Sequence, residues 1–166
     1  MDGKIYKDEL IEIVWKWKTN DLKFELLNKT GRPLSIVWEE SYFIDKYKNE
    51  LRITHSGIKM WNMAKFMPPT EIPTKQRVKE KIYPCEYFFQ KPKLDQRPGY
   101  IGRVVEWEKR PLYEKKVKLN KPDDFDFAEY KKKLSEAVFE VILKVDAAGQ
   151  WYEYRFHFKH EVKEKS

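Results

Sequence analysis

The stretch Phe24-Glu25-Leu26-Leu27-Asn28-Lys29-Thr30-Gly31-Arg32-Pro33-Leu34-Ser35-Ile36-Val37-Trp38 constrains this chain most. Leu22, Phe24 and Leu26 alternate with charged residues, Asn28 to Gly31 is built of turn formers, and Leu34, Ile36 and Trp38 alternate again. A period of two puts every second side chain on one face, so each half must bury an apolar stripe. Two such halves around a short polar turn read as an antiparallel hairpin, the unit from which β-sandwiches are built.

The same period recurs along the chain. Ile11, Ile13, Trp15 and Trp17 form one stripe, interrupted only by Val14. Tyr42-Phe43-Ile44-Asp45 and Leu51-Arg52-Ile53-Thr54-His55 flank Lys46-Tyr47-Lys48-Asn49 and read as a second hairpin. The cleanest alternation is last: Val138 to Val145, a turn at Asp146-Ala147-Ala148-Gly149, then Tyr152, Tyr154, Phe156 and Phe158 against charged partners. Between Pro84 and Pro98 the pattern is irregular, with Tyr87, Phe88 and Phe89 expected as a buried anchor, and Tyr100 to Trp107 reads as another strand. Pro122-Asp123-Asp124 looks like a helix start, and Phe127, Tyr130 and Leu134 follow at helical spacing. One short helix is therefore expected, inside a single domain over residues 1–166.

Composition supports an ordered sheet protein. Aromatic residues make up 16% of the chain, and rings suit pleated, half-buried surfaces. Lys outnumbers Arg by 27 to 7, and Glu outnumbers Asp by 18 to 9. With few Asn, Gln and Cys, that balance matches proteins of thermophiles. The net charge of +7 invites a polyanion reading, but residues 1–83 contribute 16 basic and 12 acidic groups and residues 84–166 contribute 18 and 15. The excess is spread out, as on a mixed, solvated surface.

Two segments break the alternation in ways that bear on function. From Ser56 to Thr74 a Pro-punctuated loop carries Met60, Trp61, Met63, Phe66 and Met67. Loops of that length are often functional, and these side chains either cap the open end of the core or bind a protein partner. Lys75, Arg77, Lys79 and Lys81 then alternate with Gln76, Val78, Glu80 and Ile82, which sets four cations on one face of a strand. A lysine-lined edge strand guards against edge-to-edge pairing. The other reading is an anion-binding face for nucleic acid or another polymer, extended by the basic Lys109–Lys121 connection.

Chemical motifs are lacking. Cys85 is the sole cysteine and has no identifiable base, so it reads as a structural thiol. His157 and His160 lie three apart on a strand and point to opposite faces, and His55 is remote in sequence. Glu39-Glu40 and Asp123-Asp124 are adjacent pairs, which diverge on a strand. No phosphate-binding glycine loop, HExxH or GxSxG occurs, so the expectation is a non-enzyme without cofactor or metal. No apolar run approaches the ~20 residues of a helical membrane span.

Leu26-Leu27-Asn28-Lys29-Thr30-Gly31-Arg32-Pro33-Leu34, Phe43-Ile44-Asp45, His55-Ser56-Gly57-Ile58, Pro68-Pro69 and Ile72-Pro73 resemble immunoglobulin-like sandwich domains of small bacterial envelope lipoproteins. The hairpin through Tyr152-Tyr154-Phe156-Phe158 is similar too. The resemblance implies a non-enzymatic domain of a bacterial envelope, without the lipidated cysteine of that family. A weaker similarity, through Met60-Trp61 in an inhibitory-type loop, is to immunoglobulin-like protease-inhibitor domains. Together the readings predict an all-β, immunoglobulin-like antiparallel β-sandwich with one short helix and a long apolar loop. Its expected role is an interaction module at the envelope or in the periplasm if a leader has been removed, and in the cytoplasm otherwise.

Overall fold

The computed structural model describes residues 4–18, 20–94, 97–99, 103–112 and 139–159. Its strands, in chain order, are β1 (Lys4–Lys7), β2 (Ile11–Lys18), β3 (Asp21–Asn28), β4 (Leu34–Ile36), β5 (Tyr42–Ile44) and β6 (Glu50–His55). They continue with β7 (Thr70–Ile72), β8 (Arg77–Pro84), β9 (Phe88–Leu94), β10 (Arg103–Lys109), β11 (Phe139–Ala147) and β12 (Gln150–Phe158). Every pairing among them is antiparallel. The all-β architecture is as the alternation predicts; the helix expected over residues 122–134 lies outside the described residues.

One layer runs β1-β2-β3-β8-β6. The other is centred on β11, with β12 along one edge and β4 and β5 end to end along the other. β6 belongs to both: Glu50–Arg52 pair with β5, whereas Ile53–His55 pair with β8. β9 and β10 form a separate two-stranded ribbon.

The core lies between the layers. Ile11, Ile13 and Trp15 of β2 and Leu22, Phe24 and Leu26 of β3 are buried, and their partners in register put them on one face. The Trp15 ring lies 5.0 Å from Phe24, 5.0 Å from Phe156 and 5.1 Å from Phe158, so the β2–β3 stripe meets the β12 stripe. Burying each such side chain contributes about 1.5–3 kcal/mol. The two outer strands approach through side chains: Tyr6 packs edge-on against Tyr154 and Phe156, and the Tyr154 hydroxyl donates to Asp8 at 2.8 Å.

The structure departs from three sequence expectations. Residues 24–38 are not a hairpin. β3 pairs with β2 and β8, while β4 pairs with β11 and β7, so the Asn28–Pro33 turn carries the chain from one layer to the other. The reason is Asn28, fully buried, whose amide donates to the carbonyls of Arg32 at 2.7 Å and Ile72 at 3.0 Å while its oxygen accepts from the Thr30 N–H. That corner is held from within the protein rather than by strand pairing across it. Second, β8 is a lysine-lined edge only in part: among the described strands Arg77–Lys81 border β3 alone, whereas Ile82–Pro84 pair with β6. Third, Phe88–Leu94 is a strand rather than an irregular anchor, with Phe89 exposed.

A bulge between β4 and β5 aims two side chains that matter for the loop after β6. Trp38–Glu40 form a 3-10 turn that interrupts the line of residues facing β11. Ser41 repairs the ladder: its hydroxyl accepts from the Lys144 N–H at 2.9 Å and donates to the Val37 carbonyl at 2.8 Å. The turn drives Trp38 into the core, where it stacks on His55 at 4.2 Å and its indole N–H donates to Thr70. It also turns Glu39 toward the Ser56–Pro69 segment.

Candidate functional site: an apolar loop beside a lysine-bearing sheet face

After β6 the chain reverses at Gly57, whose φ of +85° is disfavoured for residues with a Cβ. A 3-10 turn comes next, at Met60–Asn62. The loop is anchored from below, since Met67 is 1% exposed and Met63 7% exposed. It is also clamped from the side. The Arg52 guanidinium donates to the carbonyls of Met63 at 2.9 Å and Lys65 at 3.1 Å, and to Glu39 at 2.9 Å. Glu39 in turn accepts from the Met67 N–H at 2.6 Å. Charge-assisted bonds of this kind are about twice as strong as neutral ones, so the loop is held in one shape.

On that fixed base the largest rings point outward. Trp61 is 69% exposed, Phe66 is 73% exposed and Met60 is partly exposed. The Lys59 ammonium sits 5.1 Å from the centroid of the Trp61 ring. No Asp or Glu occurs from Ser56 to Thr70, whereas Lys59 and Lys65 do. Of the five residues expected at a partner surface, Met60, Trp61 and Phe66 are exposed and Met63 and Met67 are in the interior. Capping the core and presenting a surface are thus divided between members of one loop.

Arg77, Lys79 and Lys81 share the solvent face of β8, as their spacing predicts, but Lys75 lies before the strand in a turn at φ +60°. Its ammonium donates to the Lys29 carbonyl. In register, Lys81 faces Lys23 of β3, which faces Lys16 of β2. A groove of about 400 Å³ runs over this face, lined by Val14, Lys16, Lys23, Glu25, Lys79 and Lys81. Carboxylates are interleaved with the cations: Asp21 lies 3.1 Å from both Lys23 and Lys81, Glu25 lies 3.4 Å from Lys79, and Glu12 lies 3.6 Å from Arg77. Burial opposes the charge on Asp21, but Lys81 and Lys23 hold its carboxyl below the ordinary value. Half-exposed pairs of this kind add little stability. Their effect is to lower the field of the face.

A second cavity, of about 200 Å³, lies at the foot of the loop, where Ile58, Met60 and Met63 meet Lys81 and Lys109. Lys109 donates to the Asn20 carbonyl at 2.7 Å and lies over the Tyr83 ring. Burial, and then the charge of Lys81, pull its ammonium below the ordinary value.

Among the described residues the remaining reactive groups are dispersed. Burial, with Glu86 beside it, pushes the Cys85 thiol up to about 12, so the thiolate nucleophile is suppressed. His55 packs on Trp38 with Glu80 3.5 Å away, while His157 pairs with Glu140 at 3.0 Å on the other layer. His160 lies outside the described residues. Among the described residues no three His, Cys, Asp or Glu side chains gather as a metal site. Nor, among the same residues, is any helix long and apolar enough to cross a membrane.

Arg52, Glu39, Lys16 and Lys23 are the site residues that the spacing does not single out. Lys16 and Lys23 are visible as outward positions of alternating strands, but nothing local states that they face Lys81. Arg52 and Glu39 carry no signal, because the clamp exists only once the bulge and the loop meet. Comparison with known proteins finds no matching family model, no matching curated protein and no matching solved structure.

Proposed function

We propose that this chain is a non-catalytic interaction domain of the immunoglobulin-like sandwich kind, and that its contact surface is the loop from Ser56 to Pro69. One observation carries the reading: the Arg52–Glu39 clamp and the Met63 and Met67 anchors fix a loop whose Trp61 and Phe66 rings remain in solvent. Exposed aromatic side chains on a preorganised base lose little entropy on binding, and aromatics are enriched among residues that dominate interfaces. A rigid core with exposed rings has no need of the reactive groups, which lie apart. The similarity to envelope lipoprotein domains supports an envelope location, and fractionation of cells producing the native gene product tests that part.

Replacing Trp61 and Phe66 together by Ala tests the surface. The expected outcome is loss of partner capture in a pull-down from the native source, with a melting temperature within about 2 °C of the parent, since exposed substitutions rarely exceed ~0.5 kcal/mol. A large fall in melting temperature would place both rings in the core and end the proposal.

A second reading, binding of nucleic acid or another polyanion, is favoured by the groove along Lys16, Lys23, Lys79 and Lys81. Phosphate contacts would make affinity for an oligonucleotide fall steeply with salt. A flat salt response, or no binding at low ionic strength, dismisses it.

A further inference from the structure

Resting on the reading of the loop as the contact surface, we infer that its partner is an anionic lipid bilayer, into whose interface Trp61 and Phe66 insert. Three features of the loop point to a lipid rather than a protein surface.

The first is its backbone. The N–H groups of Ile58, Asn62, Met63 and Lys65 donate within the loop and its approach, to His55, Lys59, Met60 and Asn62. The Met67 N–H is taken by Glu39, the Met63 and Lys65 carbonyls are taken by Arg52, and Pro68 and Pro69 have no N–H to satisfy. A main chain partly paired with its own protein leaves fewer polar groups to strip of water on entering a bilayer interface. A segment that recognises protein by strand addition does the opposite and leaves its main chain open.

The second is the choice of side chains. Trp sits at the boundary between headgroups and hydrocarbon, and Phe and Met beside it add apolar area without demanding a complementary shape. The third is charge. Lys59 and Lys65 flank the rings with no carboxylate between Ser56 and Thr70. Lys81 and Lys109 line the cavity at the foot of the loop beside Met60 and Met63. A lipid phosphate adds an anion to that pair beside Asp21, which lies 3.1 Å from Lys81. Anionic leaflets attract lysines held near the surface, by an amount that corresponds to about fivefold in partitioning for each.

Co-sedimentation with vesicles tests this. The protein is mixed with phosphatidylcholine vesicles containing phosphatidylglycerol and, separately, with vesicles of phosphatidylcholine alone. We expect about tenfold to thirtyfold stronger partitioning to the anionic vesicles, abolished by high salt. Trp61→Ser with Phe66→Ser should remain in the supernatant, and Lys59→Glu with Lys65→Glu should lose the anionic preference. Trp151→Ser, which changes an exposed ring elsewhere, should sediment like the parent. Thermal melts of all variants superposing on the parent exclude unfolding as the cause. Parent protein left in solution with both vesicles, or a Trp61/Phe66 variant sedimenting as the parent does, overturns the inference. If the bilayer is ignored while the same variant loses a protein partner, the contact surface stands and the lipid assignment falls. If the variant alters neither, both fall.

Discussion

One carboxylate, that of Asp8, joins three parts of the molecule. Its Oδ1 accepts from the Leu10 and Ile11 N–H groups at 2.8 Å each, and its Oδ2 accepts from the Tyr154 hydroxyl. Partial burial opposes its ionisation, but the bonds from Ile11, Tyr154 and Leu10 prevail and hold the group below its ordinary 3.8. A depressed folded value means that the unfolded chain takes up the proton first as pH falls. The Asp8 contribution is therefore whole above about pH 4 and lost as pH drops through the folded value. Asp8→Asn should be less stable than the parent at neutral pH and lose less on acidification, as read from urea midpoints at pH values above and below that window. Parallel losses in the two proteins would refute the assignment. At this scale the sequence is readable for residue type but not for reach. Asn28 is legible as a turn former, yet its amide bonds to Ile72, 44 residues away, because the corner it fills is made by a later segment.

At the scale of elements, alternation located β2, β3 and β12, whose buried stripes show period two, whereas β11 is buried without a break from Phe139 to Leu143 and is legible as a mostly apolar run. Neither pattern could state which strands pair. Leu34 faces Ala147 across more than a hundred residues, and no local signal distinguishes that pairing from a hairpin. β9 was obscured by Pro92, which a two-stranded ribbon tolerates because one side of the strand makes no ladder. The bulge between β4 and β5 was likewise invisible, although it aims both Trp38 and Glu39. Ser41→Ala removes the acceptor of the part-buried Lys144 N–H, which costs about 1–3 kcal/mol. Denaturant titration should show that loss, with faster amide exchange at Lys144 and little change at remote amides. Unchanged stability would mean that the ladder closes without the hydroxyl.

For the whole molecule, the uneven legibility has a simple cause: burial is encoded locally and juxtaposition is not. The loop illustrates it, because the same apolar letters supply both an anchor, Met67, and a display, Phe66. Trp15 is the clearest probe of the assembled core, since its ring touches side chains of both layers. Trp15→Ala should cost about 3–5 kcal/mol. The parent and this variant should each unfold in one step, with fluorescence and far-ultraviolet dichroism changing together. Transitions that separate would show layers melting independently.

Sharing β6 also restricts how such a protein can be divided or inherited. The run from Glu50 to His55 is stitched at its front to β5 and at its rear to β8, so neither layer ends where a gene fusion could cut cleanly. A crossover that replaced one layer with that of a distant cousin would import half a seam and leave its mate unsewn.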